Sequence, residues 1–337
     1  MKPVYIIAEA GVNHNGSLNI ALKLVEKAKE AGADCVKFQT FKAEQIVSHS
    51  SPKAKYQLEV TDKEESQFDM LKKLELDFSD YEKILVLCNE LKIDFLSTPY
   101  NKEDAIFLNK LGVDSFKIAS GQLTELSFLK FVASFNKKMI ISTGMAKLSE
   151  VFDAVEAIRE VGNNDIVVLQ CTTNYPSKIE DANILAMQTM RDACKVSVGY
   201  SDHVENNFAC YASVVLGAEI IEKHFTLDNN MEGPDHSSSL NPKEFKNLVN
   251  GIRLVELSLG SGLKIPTKIE IENSYGMKRS LVINEDLKAG TIIEEKHIGF
   301  KRPNNGLSPN LLDKFLGKVL LIDMKKDEPL NFDSIKW

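Results

Sequence analysis

From residue 4 to residue 259, short apolar runs alternate with longer segments whose apolar residues recur every third or fourth position. The runs at 4–8, 35–38, 94–97, 115–119, 139–142, 166–170, 196–199 and 219–222 read as eight strands. Between the first two, Leu18, Ala21, Leu22, Val25 and Ala28 share one helical face, and the segments around Leu85 and Leu91, and at 128–132, 151–158, 208–216 and 245–259, behave alike. Eight alternations over about 255 residues match the usual size of a (β/α)8 TIM barrel. An open doubly wound sheet produces the same local pattern, so periodicity alone leaves both architectures open.

After residue 259 the pattern changes. Residues 260–268 (GSGLKIPTK) have the Gly, Pro and Ser content of a boundary. Beyond them 280–283, 291–293 and 319–322 are short β-like runs separated by turn residues. The expected organisation is a barrel at 1–262, a linker at 263–275 and a small, mostly irregular β module at 276–337. About 60 residues fold alone only marginally, so this module is expected to dock against something. The charged stretch 48–74 has no strand pattern and stands where a βα loop belongs; loops of that length usually serve function.

Composition narrows the function classes. With 41 basic and 48 acidic residues the formal charge is −7, which argues against a nucleic-acid binder. A small anionic ligand stays open, because it answers to a few local lysines. Cys35, Cys88, Cys171, Cys194 and Cys210 are odd in number, widely spaced and without a CxxC pair. That argues against a disulfide framework or thiolate zinc site and fits a reducing compartment. No signal-peptide pattern or membrane-length apolar run is evident, so a cytoplasmic protein is expected.

The informative anomaly is charge inside strand-like runs. Lys37 stands between Val36 and Phe38, and Lys117 between Phe116 and Ile118. Lysine is rarely buried without a partner, so two lysines facing a barrel interior call for an anion; solvated lysines on an edge strand are the alternative. Ser97-Thr98, Ser120-Gly121, Ser142-Thr143, Thr172-Thr173-Asn174 and Ser201-Asp202 end strand-like runs, where a barrel builds its active site. Singly each is a helix N-cap candidate; together with the lysines they suggest a cradle for phosphate and carboxylate. His203 and His224 follow consecutive late strands and could share one metal ion with open positions, although two histidines 21 residues apart form no specific motif. Glu9 ends the first strand, as a partner for an inward lysine, as a general base, or as both. His14 reads as a loop histidine capping the next helix.

These residues lie in segments that resemble a known family. EAGVNHNG from Glu9, VKFQT from Val36, LSTP from Leu96, FKIASG from Phe116, STGM from Ser142, TNYP from Thr173, YSDH from Tyr200, EKHFT from Glu222 and GPD from Gly233 look, in order, like the sialic acid synthase (nonulosonate synthase) family. The tail, with AGTI from Ala289 and KRP from Lys301, resembles that family's antifreeze-like (SAF) domain. The resemblance implies condensation of phosphoenolpyruvate with an amino-sugar aldehyde, a divalent manganese or magnesium ion on His203 and His224, and a homodimer with swapped C-terminal domains. Carried over by position, Lys37, Thr98, Lys117, Ser120, Ser142, Asn174 and Ser201 would hold phosphoenolpyruvate. Gln39, Tyr175 and Asp235 would touch the sugar, with Arg302 reaching it from the partner subunit, and Glu9 would bind metal-bound water or move a proton. AKYQ from Ala54, EESQ from Glu64 and MLKKLEL from Met70 look more like synthases of the legionaminic acid type, favouring 2,4-diacetamido-2,4,6-trideoxymannose over N-acetylmannosamine, with pseudaminate synthesis third. Without the resemblance, inward lysines would also suit a Schiff-base aldolase, and the tail alone a sugar- or ice-binding protein.

Overall fold

The structure is a computed structural model describing residues 2–49, 51–54, 57–62 and 64–337. Lys55 and Tyr56, within the AKYQ segment, lie outside the described residues. The chain forms two compact units, Met1–Gly260 and Ser261–Trp337.

In the first unit the strands are β1 (Tyr5–Gly11), β2 (Cys35–Thr40), β3 (Asp94–Pro99), β4 (Ser115–Ile118), β5 (Lys138–Ser142), β6 (Ile166–Cys171), β7 (Ser197–Asp202) and β8 (Ile220–His224). Each is followed by a crossing helix: α1 (Leu18–Ala31), α2 (Phe78–Leu91), α3 (Lys102–Leu111), α4 (Leu126–Ala133), α5 (Leu148–Arg159), α6 (Leu185–Cys194), α7 (Phe208–Val215) and α8 (Pro242–Leu259). Among the described residues all eight strands pair in the order β3-β2-β1-β8-β7-β6-β5-β4, and β3 lies beside β4. The sheet thus returns on itself as a nearly closed TIM-like barrel, and the open-sheet alternative falls.

Strand alternation explains where the site lies. Ile6, Ala8, Val36 and Phe38 point outward into an apolar layer with Leu24, Val25, Ala28 and Phe245 of the helices. Ile7, Cys35, Leu96, Ile140, Val167, Leu169 and Ile220 form a separate dry cluster inside the barrel. Burying each of its larger side chains is worth about 1.5–3 kcal/mol. Gly199 lets this cluster close, because a Cβ there would meet the Ile220 carbonyl oxygen at 2.4 Å and Leu169 Cδ2 at 2.7 Å. Two residues further along these same rows stand Glu9, Lys37, Thr98, Ser142, Cys171, Ser201 and Glu222. The apolar plug therefore ends where the polar layer begins, at the C-terminal mouth.

The loop after β2 carries short helices at Ala43–Ile46, Gln57–Val60 and Gln67–Lys73. In the second unit, most of the segment expected as a linker at 263–275 is helical: α9 (Lys268–Met277) starts on a capping box between Thr267 and Glu270. The small module pairs β9 (Ser280–Ile283) with β10 (Ile298–Lys301), and β11 (Val319–Leu320) with β12 (Ile335–Lys336), antiparallel. The run at 291–293, expected as a strand, makes only an isolated bridge from Ile292 to Val319, because its neighbours turn away at Gly290. Leu281, Ile283, Ile293, Phe315 and Leu330 form the module's own core. Among the described residues no helix is long and apolar enough to cross a membrane.

Candidate active site

The polar layer is a compact group of opposite charges. Lys37 and Lys117 are each 3% exposed, so the solvated-edge alternative does not hold. Lys37 Nζ lies 2.6 Å from Glu9 Oε2 and 3.7 Å from Glu222 Oε1. Lys117 Nζ lies 3.6 Å from that same Glu222 oxygen and donates to Ser142 Oγ at 2.6 Å and to the Ile118 carbonyl at 3.2 Å. Strand register brings them together: Glu9 stands level with Lys37 on one side and His224 on the other, and Ser201 level with Glu222. The anion that the lysines require is thus partly supplied by the protein. Glu222 is the functional residue that the sequence reading passed over. Its signal was the same as the lysines', a charge two residues beyond Ile220 in an inward row.

Burial and charge oppose each other here, with different winners. Burial raises the Glu9 carboxyl above the ordinary range and outweighs Lys37 beside it. Burial works to raise Glu222 too, but Lys117 and Lys37 hold it low. Burial pulls Lys117 down, whereas Glu222 and Glu9 outweigh burial at Lys37 and hold it up. Glu9 is the carboxyl of this group that most readily accepts a proton.

Above the charges opens a cavity of about 500 Å³, within the usual range for a small-molecule site. Glu9, Lys37, Gln39, Thr98, Lys117, Ser120, Ser142, Tyr175, Ser201, His203, His224 and Asp235 all line it. Thr98 Oγ1 lies 3.5 Å from Lys37 Nζ, and Gln39 Nε2 donates to Glu9 Oε1 at 3.1 Å while its Oε1 accepts from Tyr100 at 3.2 Å. Ser120 Oγ accepts from the Gly144 N–H at 3.0 Å. A Cβ on residue 144 would meet Thr173 Oγ1 at 2.1 Å and Ser120 Oγ at 2.9 Å, so only glycine lets the two hydroxyls converge. One sequence candidate of this unit stands apart. Asn174 is exposed, its carboxamide donating to the Pro176 carbonyl, and its neighbour Thr173 lines the cavity instead. Arg302 belongs to the second unit, where it is exposed after β10.

The two imidazoles meet as expected, with ring centroids 5.2 Å apart and Tyr175 against both at 4.1 and 5.4 Å. His203 Nδ1 sits 2.7 Å from the Thr172 carbonyl, so it carries the proton and leaves Nε2 as the lone-pair nitrogen. His224 Nδ1 is buried without a hydrogen-bond partner among the described residues, 4.0 Å from Asp235 Oδ2. Burial, then the neighbouring His203 and the charges of Lys37 and Lys117, hold His224 well below its ordinary pKa, keeping it neutral as a ligand must be. Among the described residues no group of three His, Cys, Asp or Glu side chains gathers for a metal. Both imidazoles line the cavity and the buried His224 Nδ1 has no partner among the described residues, an arrangement that suits an ion with two protein ligands and positions left to water and substrate. Asp235 is raised to about 6 by burial and by Glu9. His14 is buried and accepts from the Gly16 N–H at 3.1 Å, a turn-stabilising role just before α1.

Part of the cavity lining is apolar. Ile46, Val47, Met70, Leu71 and Leu74, from the long loop after β2, line it together with the carboxamides of Gln57 and Gln67. The site thus joins a charged floor to a methyl-lined wall.

The family model "NeuB family" matches residues 24–264 and the model "SAF domain" matches residues 278–336. The N,N'-diacetyllegionaminic acid synthase of Campylobacter jejuni subsp. jejuni serotype O:2 is 47% identical over 330 residues, covering 97% of this chain and 99% of that protein. The protein of the same name from Legionella pneumophila is 41% identical, covering 98% of this chain and 94% of its own. The crystal structure of N-acetylneuraminic acid synthetase from Leptospira borgpetersenii, in complex with citrate, superimposes with a TM-score of 0.70 at 31% identity, over 81% of this chain and 90% of that one.

Proposed function

The chain belongs to the NeuB family, and from that premise we propose that it condenses phosphoenolpyruvate with 2,4-diacetamido-2,4,6-trideoxymannose and water, giving N,N'-diacetyllegionaminate and phosphate. The observation that carries the reading is the pair of buried ammonium groups sharing one Glu222 oxygen on the floor of a cavity that both imidazoles also line.

In this reading Lys37 and Lys117 take the phosphate and carboxylate of phosphoenolpyruvate, with Thr98, Ser120, Ser142 and Ser201 donating hydroxyl hydrogen bonds and Asn174 turning in from the rim. Holding C3 of the enol against the sugar's aldehyde carbon supplies about 7–11 kcal/mol of the barrier through positioning alone. A manganese or magnesium ion on His203 and His224 would, when bound, polarise the aldehyde as a Lewis acid. As the new carbon–carbon bond forms, positive charge grows at C2, and the carboxylates of Glu9 and Glu222 face it. Water adds at C2, and Glu9, raised by its burial, passes that water's proton toward the former aldehyde oxygen. The bond from C2 to the phosphate oxygen then breaks as the C2 hydroxyl gives its proton to the departing phosphate, leaving the ketone and free phosphate.

The choice of sugar rests on the apolar wall. A 6-deoxy sugar with two acetamido groups presents three methyl groups, which suit Ile46, Val47, Met70, Leu71 and Leu74 better than hydroxyls would. Gln39, Tyr175 and Asp235 would orient the sugar. Arg302 would come from the second subunit of a swapped homodimer, a reading supported by the SAF match at 278–336. The deciding assay is phosphate release with this sugar and with N-acetylmannosamine in parallel, each with a chelator control. Faster turnover of N-acetylmannosamine would reverse the sugar assignment, and no release with either would sink the reaction.

A further inference from the structure

Behind the paired imidazoles, on the outer face of the barrel wall, lies a second buried ion pair. Asp202 and Lys223 are direct cross-strand partners on β7 and β8, one residue before His203 and His224 respectively. Alternation turns them away from the cavity that the histidines face. Lys223 Nζ is buried and uses its three hydrogens on Asp202 Oδ2 at 2.5 Å, the Val204 carbonyl at 2.5 Å and the Asn206 carbonyl at 3.0 Å. Asp202 is also full: Oδ1 accepts from Tyr200 at 2.9 Å and the Val204 N–H at 2.9 Å, and Oδ2 accepts from Cys210 of α7 at 3.1 Å.

We propose that Lys223 is a positioning residue for the two-histidine metal site, a clamp that sets the spacing of His203 and His224. This rests on the functional reading above. A single ammonium, anchored beside His224, grips the chain immediately before His203 through Asp202 and immediately after it through Val204 and Asn206. With only two protein ligands, the site has no third side chain to correct a misplaced imidazole. Packing could hold β7 and β8 together without charge, but it would not select the loop path that places the His203 backbone. The same grip keeps His203 within reach of the Thr172 carbonyl, which sets its proton-bearing nitrogen.

The test is the double substitution Asp202→Asn with Lys223→Met, which removes both charges and leaves neither buried alone. Lys223→Met by itself serves as a second variant. Manganese affinity is measured by electron paramagnetic resonance titration without substrate, and the His203 tautomer by nitrogen-15 NMR of the metal-free protein. A folded double variant is expected to lose about 10- to 100-fold in manganese affinity, the usual effect of removing an outer-shell support. Its His203 Nδ1–H signature should shift toward the exchanging-tautomer average, while metal-free phosphoenolpyruvate affinity stays within about twofold of wild type. Wild-type manganese affinity with an unchanged tautomer in either folded variant would overturn the clamp. If the wild-type protein itself takes up no manganese, the metal reading fails, and the NMR signature alone decides whether Lys223 positions His203.

Discussion

Replacing Lys117 with methionine tests the floor of the site most directly. The side chain keeps much of its volume, so the cost is that of removing one charge from a buried cluster, which reaches about 3–5 kcal/mol only where the partner is left uncompensated. Glu222 is not orphaned by the change, because it keeps Lys37 at 3.7 Å and Ser201 Oγ at 3.1 Å. The melting temperature should therefore fall by only about 2–6 °C for a chain of this size. Binding is another matter. Lys117 is 3% exposed, so a phosphate or carboxylate meeting it is screened by almost no water. Truncating one partner of such a desolvated, hydrogen-bonded charge pair costs about 2–5 kcal/mol, which is roughly thirtyfold to a few thousandfold in affinity. Calorimetric titration of phosphoenolpyruvate into chelator-treated protein reads this without relying on turnover, and differential scanning calorimetry checks the fold. An affinity within about threefold of wild type, in a variant that melts normally, would refute the cradle. The same protein preparations answer the covalent alternative: borohydride with pyruvate should leave Lys37 and Lys117 unmodified, and an adduct on either would point to Schiff-base chemistry.

Gly144→Ala should push Ser120 and Thr173 apart, since its Cβ would sit 2.1 Å from Thr173 Oγ1. Steady-state kinetics should show a rise of about tenfold or more in KM for phosphoenolpyruvate. Asp235, raised to about 6, is an acceptor for sugar hydroxyls only when ionised; the KM for sugar should climb as pH falls through about 6, and Asp235→Asn should flatten that limb of the profile while weakening binding throughout. Leu71→Asn puts a polar group on the apolar wall and should cut kcat/KM for the trideoxy sugar by about 10- to 200-fold while affecting N-acetylmannosamine less. Mixing Lys117→Ala with Arg302→Ala subunits should restore about a quarter of wild-type phosphate release if the small domains are swapped, because half the dimers then carry one intact site.

Much of the barrel was legible because its signal is local. An inward row such as Ile7-Ala8-Glu9 or Cys35-Val36-Lys37 states its own alternation, and a charge that breaks it announces a polar interior. Lys37 and Lys117 were found in this way, His203 and His224 by following two consecutive late strands, and cavity-lining positions such as Gln39 and Asp235 came from family-like motifs rather than from spacing. The small module was harder. Its strands are two to four residues long, so the run at 291–293 resembled a strand as much as Ile298–Lys301, which is one. The helix at Lys268–Met277 hid behind a Gly- and Pro-rich approach although its Thr267 and Glu270 capping box was in view.

The linear chain by itself pointed to Lys37 and Lys117 as inward charges and to the strand ends that carry hydroxyls and imidazoles, since these follow from neighbours in sequence. It could not decide which charge pairs with which. That Glu222 stands between both lysines, that Glu9 faces Lys37, and that Lys223 grips the far side of His203 are matters of register between residues 19 to 185 positions apart. Register is settled only when the sheet closes and every inward side chain must share one confined volume, and there a fraction of an ångström separates an ion pair from an unpaired charge.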